Sequence, residues 1–421
     1  MKTASLASEK HLAKGMKAGM LDKLGRRLVL KQLQRLEVGC VVLKEGEFEV
    51  TFGEAETTAE LVARIEVIDS SFYSDLAFAG SIGAGEAYMR GSWKSEELVD
   101  LVRILLRNRQ VLDGMETGTA WFKTAIQRGL HWINRNTREG ARRNISAHYD
   151  LGNDFFALWL DESMMYSSAM FEHQDQSLAD AQQNRLDVIC RKLELGPEDH
   201  LVEIGTGWGG LAIYAAQMYG CRVTTTTISK QQYEMARQRV QQAGLQERIE
   251  LLLEDYRDLK GDYDKLVSIE MIEAIGSDQY DTYFSQCSRL LKPGGQMLIQ
   301  AITIADDQYE YAQNNVDFIQ RYIFPGSCLP SLAVMAATIT KVSDMVVTNI
   351  EDIGQDYALT LRHWRSNFFE HIQEVKDLGY PKEFISMWDF YLCYCEGGFI
   401  EKAISDVQLV AHKPLSGHSI N

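Results

Sequence analysis

From residue 36 to residue 67 the apolar positions come in short alternating runs. Cys40, Val41, Val42 and Leu43 are followed by Phe48, Val50 and Phe52, then by Leu61, Ala63, Ile65 and Val67. That period of two predicts three strands, with turns at Lys44-Glu45-Gly46 and Gly53-Glu54. Helical spacing follows over residues 71–89 and 95–108, so the chain opens with a small α+β domain, placed at residues 1–118. From about residue 200 the pattern changes. Apolar runs at 200–205, 221–228, 248–253, 265–269 and 296–304 alternate with amphipathic stretches at 211–219, 230–243 and 279–291. Strand–helix alternation at this spacing predicts a parallel sheet covered on both faces, an α/β fold of the Rossmann-like kind. Two further strands, at 345–353 and 406–413, bracket a helical segment and are expected to close the sheet as a final pair. The helix-rich stretch 306–341 is placed as an insertion over the sheet's C-terminal edge.

Charge refines this division. The net charge of -16 argues against a general nucleic-acid binder, yet two segments are basic. Residues 1–40 carry nine Lys and Arg against three acids, and residues 119–149 carry six against Glu139 alone. In the second segment Trp121, Phe122, Ile126, Leu130 and Ile133 recur at roughly helical spacing with cations between them. It reads as a basic amphipathic helix over 119–147, either a solvated connector between domains or a surface for an anionic membrane. The remaining domain would span 148–421.

Composition excludes several classes. A hydrophobic content of 45% with 6 prolines does not fit a disordered or collagen-like chain. No apolar run approaches the ~18–20 residues that span a bilayer, and no apolar h-region marks a secretory signal. The seven cysteines are scattered without metal or disulfide spacing, which points to a reducing, cytoplasmic setting. No metal is expected.

The strongest local signal is Val202-Glu203-Ile204-Gly205-Thr206-Gly207-Trp208-Gly209-Gly210. A buried strand runs into glycines that allow a sharp turn and close approach to a ligand, and a helix then begins. Alone, such a run fits a dinucleotide site, a nucleoside site or a tight turn. The Lys-Ser/Thr pair of a phosphate-binding loop is missing, and the second strand ends Thr224-Thr225-Thr226-Thr227-Ile228-Ser229 without a ribose-binding carboxylate. Glu203 would set a carboxylate beside a cationic or amine-bearing ligand. Asp255 and Tyr256, after the third strand, would meet an adenine. Together these suit S-adenosylmethionine.

Several motifs in register then resemble the cyclopropane fatty acid synthase family of S-adenosylmethionine-dependent methyltransferases, over nearly the whole chain. They are His148-Tyr149-Asp150-Leu151-Gly152-Asn153-Asp154-Phe155-Phe156, Met165-Tyr166-Ser167-Ser168-Ala169-Met170-Phe171, the glycine turn, Thr227-Ile228-Ser229-Lys230-Gln231-Gln232, Asp255-Tyr256-Arg257-Asp258-Leu259, Phe324-Pro325-Gly326 and Asp356-Tyr357. The resemblance implies a class I methyltransferase sheet. It also implies methyl transfer to the cis double bond of a phospholipid acyl chain at a membrane surface, by a cytoplasmic, peripherally bound protein. A homodimer is compatible with it, although no heptad or symmetric patch marks one. Tyr166, Ser167, Gly205, Gly207, Thr227, Ile228, Gln232, Asp255 and Tyr256 would hold S-adenosylmethionine, and the 306–341 segment would line an acyl channel.

In that family a bicarbonate ion, held by cysteine, glutamate, histidine and tyrosine, removes the proton that lets a cyclopropane ring close. The glutamate matches Glu273 and the tyrosine Tyr357, with Tyr149 nearby. Ser168 stands where the family has cysteine, Gln300 where it has histidine, Ala274 where histidine normally follows the glutamate, and Glu270 where it has glycine. The departures cluster around the anion site. A methylene- or methyl-branched product is the alternative outcome of the same transfer, and a small-molecule N-methyltransferase or a non-catalytic lipid-binding subunit are the alternatives to it.

Overall fold

The computed structural model describes residues 19–54, 61–111 and 151–415. The basic helix expected over 119–147, the first part of the basic start and Tyr149 lie outside the described residues. Two compact units emerge, one from the N-terminal residues together with Tyr380–Glu401, the other from the rest.

The smaller unit holds a four-stranded sheet. β1 (Cys40–Glu45) pairs antiparallel with β2 (Phe48–Gly53) and parallel with β3 (Val62–Val67), and β4 (Trp93–Lys94) joins β3. The helix Met20–Leu33 packs on the helix Ser71–Met89, and its Arg26 reaches down to the buried Glu45 at 2.8 Å. The expected boundary at residue 148 assigns all later residues to the larger part. Instead the helix Lys382–Ile400 belongs to the smaller unit. Its Asp389 accepts a hydrogen bond from the Tyr88 hydroxyl at 2.7 Å, and Glu401 just beyond it pairs with Arg103 and Arg107 at 2.9 and 2.7 Å. Side chains from residues far apart in sequence complete one core, which local patterning does not reveal.

The larger unit is built on a seven-stranded sheet. Its strands are β5 (His200–Ile204), β6 (Arg222–Thr226), β7 (Ile249–Leu252), β8 (Tyr263–Ile269), β9 (Leu291–Ile304), β10 (Val346–Asp352) and β11 (Ile404–His412). The spatial order is β10-β11-β9-β8-β5-β6-β7. Strands β5 to β9 run parallel, and β11 and β10 add antiparallel. The period of two sorts side chains to opposite faces. Val202, Ile204, Leu266, Met297, Ile299, Leu409 and Ala411 join one core, and Leu201, Val223, Val267, Leu298 and Val410 the other. Both faces are dry, as a parallel sheet requires. Lys292-Pro293-Gly294-Gly295 lies within the start of β9, where the pairing with β8 shifts between Tyr263 and Lys265. Within the 306–341 insertion, Met335 and Ile339 of the helix Leu332–Val342 pack into the first core. Among the described residues no helix is long and apolar enough to cross a membrane.

Candidate active site

Strand order reverses at β5, which has β6 on one side and β8 on the other, so a crevice opens at the carboxyl ends of these strands. The glycine turn lies there. Gly205 and Gly207 have φ of +104° and +51°, a region that favours glycine because a Cβ would collide with its own backbone. The N–H groups of Gly205 and Thr206 both donate to the Thr226 carbonyl at 3.0 Å, pinning the turn to β6. A Cβ on Gly207 would meet nothing within 4 Å, so the backbone itself faces open space. Beside it, the Thr227 hydroxyl donates to Gln232 Oε1 at 3.0 Å, and Ser229 caps the helix that carries Gln232. Ile228 is half-buried between them.

Other expected cofactor contacts are arranged differently from the reading of the sequence. Both Asp255 oxygens are held by Arg257, at 2.8 and 2.6 Å, and the Tyr256 ring lies in the sheet core against Tyr283. Glu203 is turned toward the neighbouring strand β6. It is buried, accepts from the Thr225 hydroxyl at 2.5 Å, and Thr225 in turn meets Thr206 at 2.7 Å. Tyr166 stands in an aromatic wall with Phe156, Trp159, Phe324 and Trp364, with ring centroids 5.3–6.2 Å away. The neighbouring Ser167 hydroxyl is buried with no hydrogen-bond partner among the described residues. Open glycine backbone, an unsatisfied hydroxyl and an aromatic wall fit a nucleoside bearing an amino-acid arm.

Next to this crevice three residues converge on one carboxylate. Glu270, at the end of β8, accepts from the Ser168 backbone N–H and from Gln300 Nε2 at Oε1, both at 2.9 Å, and from the Tyr357 hydroxyl at Oε2, at 2.8 Å. These donors come from a loop, from β9 and from the helix Gly354–Glu370. The sequence places the Ser168 hydroxyl at an anion, but that hydroxyl turns to the Ala169 carbonyl at 2.9 Å and only the backbone serves Glu270. Gln300 is locked in one orientation. Its Nε2 also donates to Asp406 at 2.8 Å, and its Oε1 accepts from Gln408 at 3.1 Å. Glu273 is buried beside this group, with Oε1 accepting from the Ile302 N–H and Oε2 without a partner among the described residues.

Arg185, Asp406 and Gln408 are neighbours of this carboxylate that the sequence alone does not point to. Arg185 is wholly buried on the helix Leu178–Lys192, where its charge acts on Glu270, Asp406 and Asp161. The signals available for them are an arginine within the stripe Leu178, Ala181, Gln182, Arg185, Ile189 and two polar residues at alternate positions of an apolar strand. Burial raises Glu270, against the pull of Ser168, Tyr357, Arg185 and Gln300. Burial and the charges of Glu270 and Glu273 push Asp406 well up. With more donors around it, Glu270 is the better stabilised anion of the two.

Burial also pushes Glu203 and Glu273 up to about 8 from 4.5. A carboxyl raised in the fold favours folding below its unfolded value and loses that contribution as pH rises through the folded one. Thermal unfolding should therefore show Tm falling between about pH 5 and pH 8. Glu203→Gln, which keeps an acceptor for Thr225, should flatten that slope. An unchanged slope would mean that Glu203 carries no charge penalty.

Residues 136–409 match the family described as mycolic acid cyclopropane synthetase. The chain is 38% identical over 338 residues to a tuberculostearic acid methyltransferase of Mycobacterium tuberculosis, covering 76% of each. It is 37% identical over 351 residues to the cyclopropane-fatty-acyl-phospholipid synthase of Escherichia coli, covering 83% of this chain and 87% of that one. A solved mycolic acid cyclopropane synthase, complexed with SAH and CTAB, superposes with a TM-score of 0.59 at 30% identity, covering 65% of this chain and 98% of that one.

Proposed function

Since the chain belongs to the mycolic acid cyclopropane synthetase family and is an S-adenosylmethionine-dependent methyltransferase, we propose that it methylates the cis double bond of an unsaturated phospholipid acyl chain and closes a cyclopropane ring there. The observation that supports this reading is the half-buried Glu270 carboxylate, held by the Tyr357 hydroxyl, whose ring meets Trp364 of the aromatic wall. S-adenosylmethionine supplies an electrophilic methyl group. Gly205, Gly207, Thr227, Ile228 and Gln232 would hold it, with Tyr166 and Ser167 along its amino-acid side.

Methyl addition to an alkene leaves a carbocation on the neighbouring carbon. Water would trap that cation, so the site must be dry. The rings of Tyr166, Phe156, Trp159 and Trp364 exclude water, and their faces suit a passing positive charge. Loss of a proton from the added methyl, with its electron pair closing onto the cation, makes the ring. A second reading ends differently. A hydride shifts from the methyl-bearing carbon before the methyl proton leaves, giving an exocyclic methylene. The altered surroundings of the proton acceptor, with Gln300 and Asp406 at its side, and the similarity to a tuberculostearic acid methyltransferase favour it.

A membrane surface would present the substrate to the N-terminal part. On the helix Met20–Leu33, Met20, Leu21, Leu24 and Leu28 are exposed among Lys23, Arg27 and Lys31. Such a face suits anionic lipid, with each cation near the surface contributing about 1 kcal/mol.

The test is incubation with S-adenosylmethionine and vesicles of cis-unsaturated phospholipid, followed by mass spectrometry and NMR of the recovered acyl chains. The expected result is a gain of one CH2 with cyclopropyl proton signals. Exocyclic-alkene signals with the same gain select the second reading. S-adenosylmethionine binding with no gain would overturn the lipid reading and direct the search to amines.

A further inference from the structure

We propose that the Glu270 carboxylate is a built-in replacement for the bicarbonate ion, accepting the proton lost from the methylated acyl chain so that turnover needs no exchangeable anion. This rests on the alkene methylation proposed above and names the proton acceptor within it.

Three observations carry it. Ser168, Gln300 and Tyr357, which sequence resemblance sets around a separate anion, instead give three hydrogen bonds of 2.8–2.9 Å to the side chain of Glu270. A carboxylate and a bicarbonate offer the same pair of acceptor oxygens, so the cradle that would fit one is occupied by the other. Second, Glu270 has φ +47°, a left-handed conformation that strains any residue other than glycine. Its N–H is fixed at the same time to the Gln300 carbonyl, at 2.8 Å. The strained backbone points the side chain into the cradle at the position where the resemblance expects a glycine. Third, the wholly buried Arg185 guanidinium acts on Glu270 through its charge, and a positive charge nearby favours the ionised form of a carboxyl.

The step balances without a further reactant. A C–H bond of the added methyl breaks, its electron pair forms the third bond of the ring, and the proton passes to Glu270. The neutral acid releases that proton to solvent when the product leaves. For the exocyclic methylene the same C–H bond breaks and its pair forms the double bond.

Two variants separate the role from the fold. Glycine adopts φ +47° readily, so Glu270→Gly removes strain while emptying the cradle. Glu270→Gln keeps the volume and most hydrogen bonds but accepts no proton. In buffer stripped of carbon dioxide the wild type should retain full turnover. Glu270→Gly should lose about 100-fold or more, the usual range for a lost general base, and regain at least about 10-fold of that loss on addition of bicarbonate. Glu270→Gln should be as inactive and not be rescued. A readout independent of turnover is 13C NMR of labelled bicarbonate, which should bind Glu270→Gly and not the wild type.

Wild-type turnover that collapses without bicarbonate would overturn the proposal, as would bicarbonate binding to the wild type or a fully active Glu270→Gln. If no acyl product forms with any protein, the lipid reading fails, and the 13C measurement still decides whether Glu270 fills the anion cradle.

Discussion

Arg185→Met should destabilise the fold, and more at neutral than at acidic pH, because it removes the positive charge that the surrounding carboxyl groups feel. Arg185 is fully buried, and its Nη2 donates to Gln182 at 2.9 Å. The Glu270 carboxylate, the Asp406 carboxyl and Asp161 all feel its charge. Methionine fills similar space without a cation, so the half-buried Glu270 would lose the positive charge that favours its anion. The group can escape that penalty by taking up a proton, which raises its folded pKa further. The deficit should then be larger at pH 7 than at pH 5, because at the lower pH protonation is less costly. Urea unfolding at the two pH values measures this. Equal midpoints for variant and wild type at both would show that the arginine does not hold the carboxyl pair.

Gly205→Val is expected to weaken S-adenosylmethionine binding by roughly 100-fold or more. At φ +104° a β-branched residue is a true outlier, and holding it there costs about 1–3 kcal/mol. A Cβ at Gly205 would lie 3.6 Å from Met271, which is ordinary contact. The side chain therefore fits beside the strand, and the damage comes from moving the turn and filling the ligand's approach. Gly244→Ala is the control. Gly244 also has positive φ, +68°, and a methyl group placed on its Cα would meet no atom within 4 Å. It sits beyond the helix Lys230–Gln242, away from the crevice. That variant should lose about 1 kcal/mol of stability with unchanged affinity by calorimetry. Equal losses of affinity in both would assign the effect to strain alone.

Much of the scaffold was legible because its signals are local. The apolar runs at 200–205, 221–228, 248–253 and 265–269 became β5 to β8 with shifts of a residue or two at their ends. The glycine turn stood where a strand meets a helix. The pair at 345–353 and 406–413 closed the sheet as β10 and β11. Aromatic and motif residues from 165 to 171 pointed to the site because they recur in order with the glycine turn.

The side-chain directions were not legible in the same way. Nothing near Ser168 indicates that its hydroxyl turns to Ala169 while its N–H serves a carboxylate 102 positions later. Asp255 looked available to a ligand, yet the arginine two residues on closes on it. Glu203 precedes the glycines and reads as a ligand contact, but alternation along β5 turns it toward Thr225 on β6.

By itself, then, the amino-acid order determined the strands, the helices between them, the glycine turn and the chemical class of the ligand. Each depends on backbone preference and on apolar periodicity over a few residues. The tertiary structure decided which carboxylate the Ser168 N–H, Gln300 and Tyr357 hold. That choice depends on hydrogen bonds to Glu270 from positions 168, 300 and 357 and on a cation at 185, groups that meet only once the sheet has formed. A buried charge is tolerable where such partners converge and nowhere else along the chain.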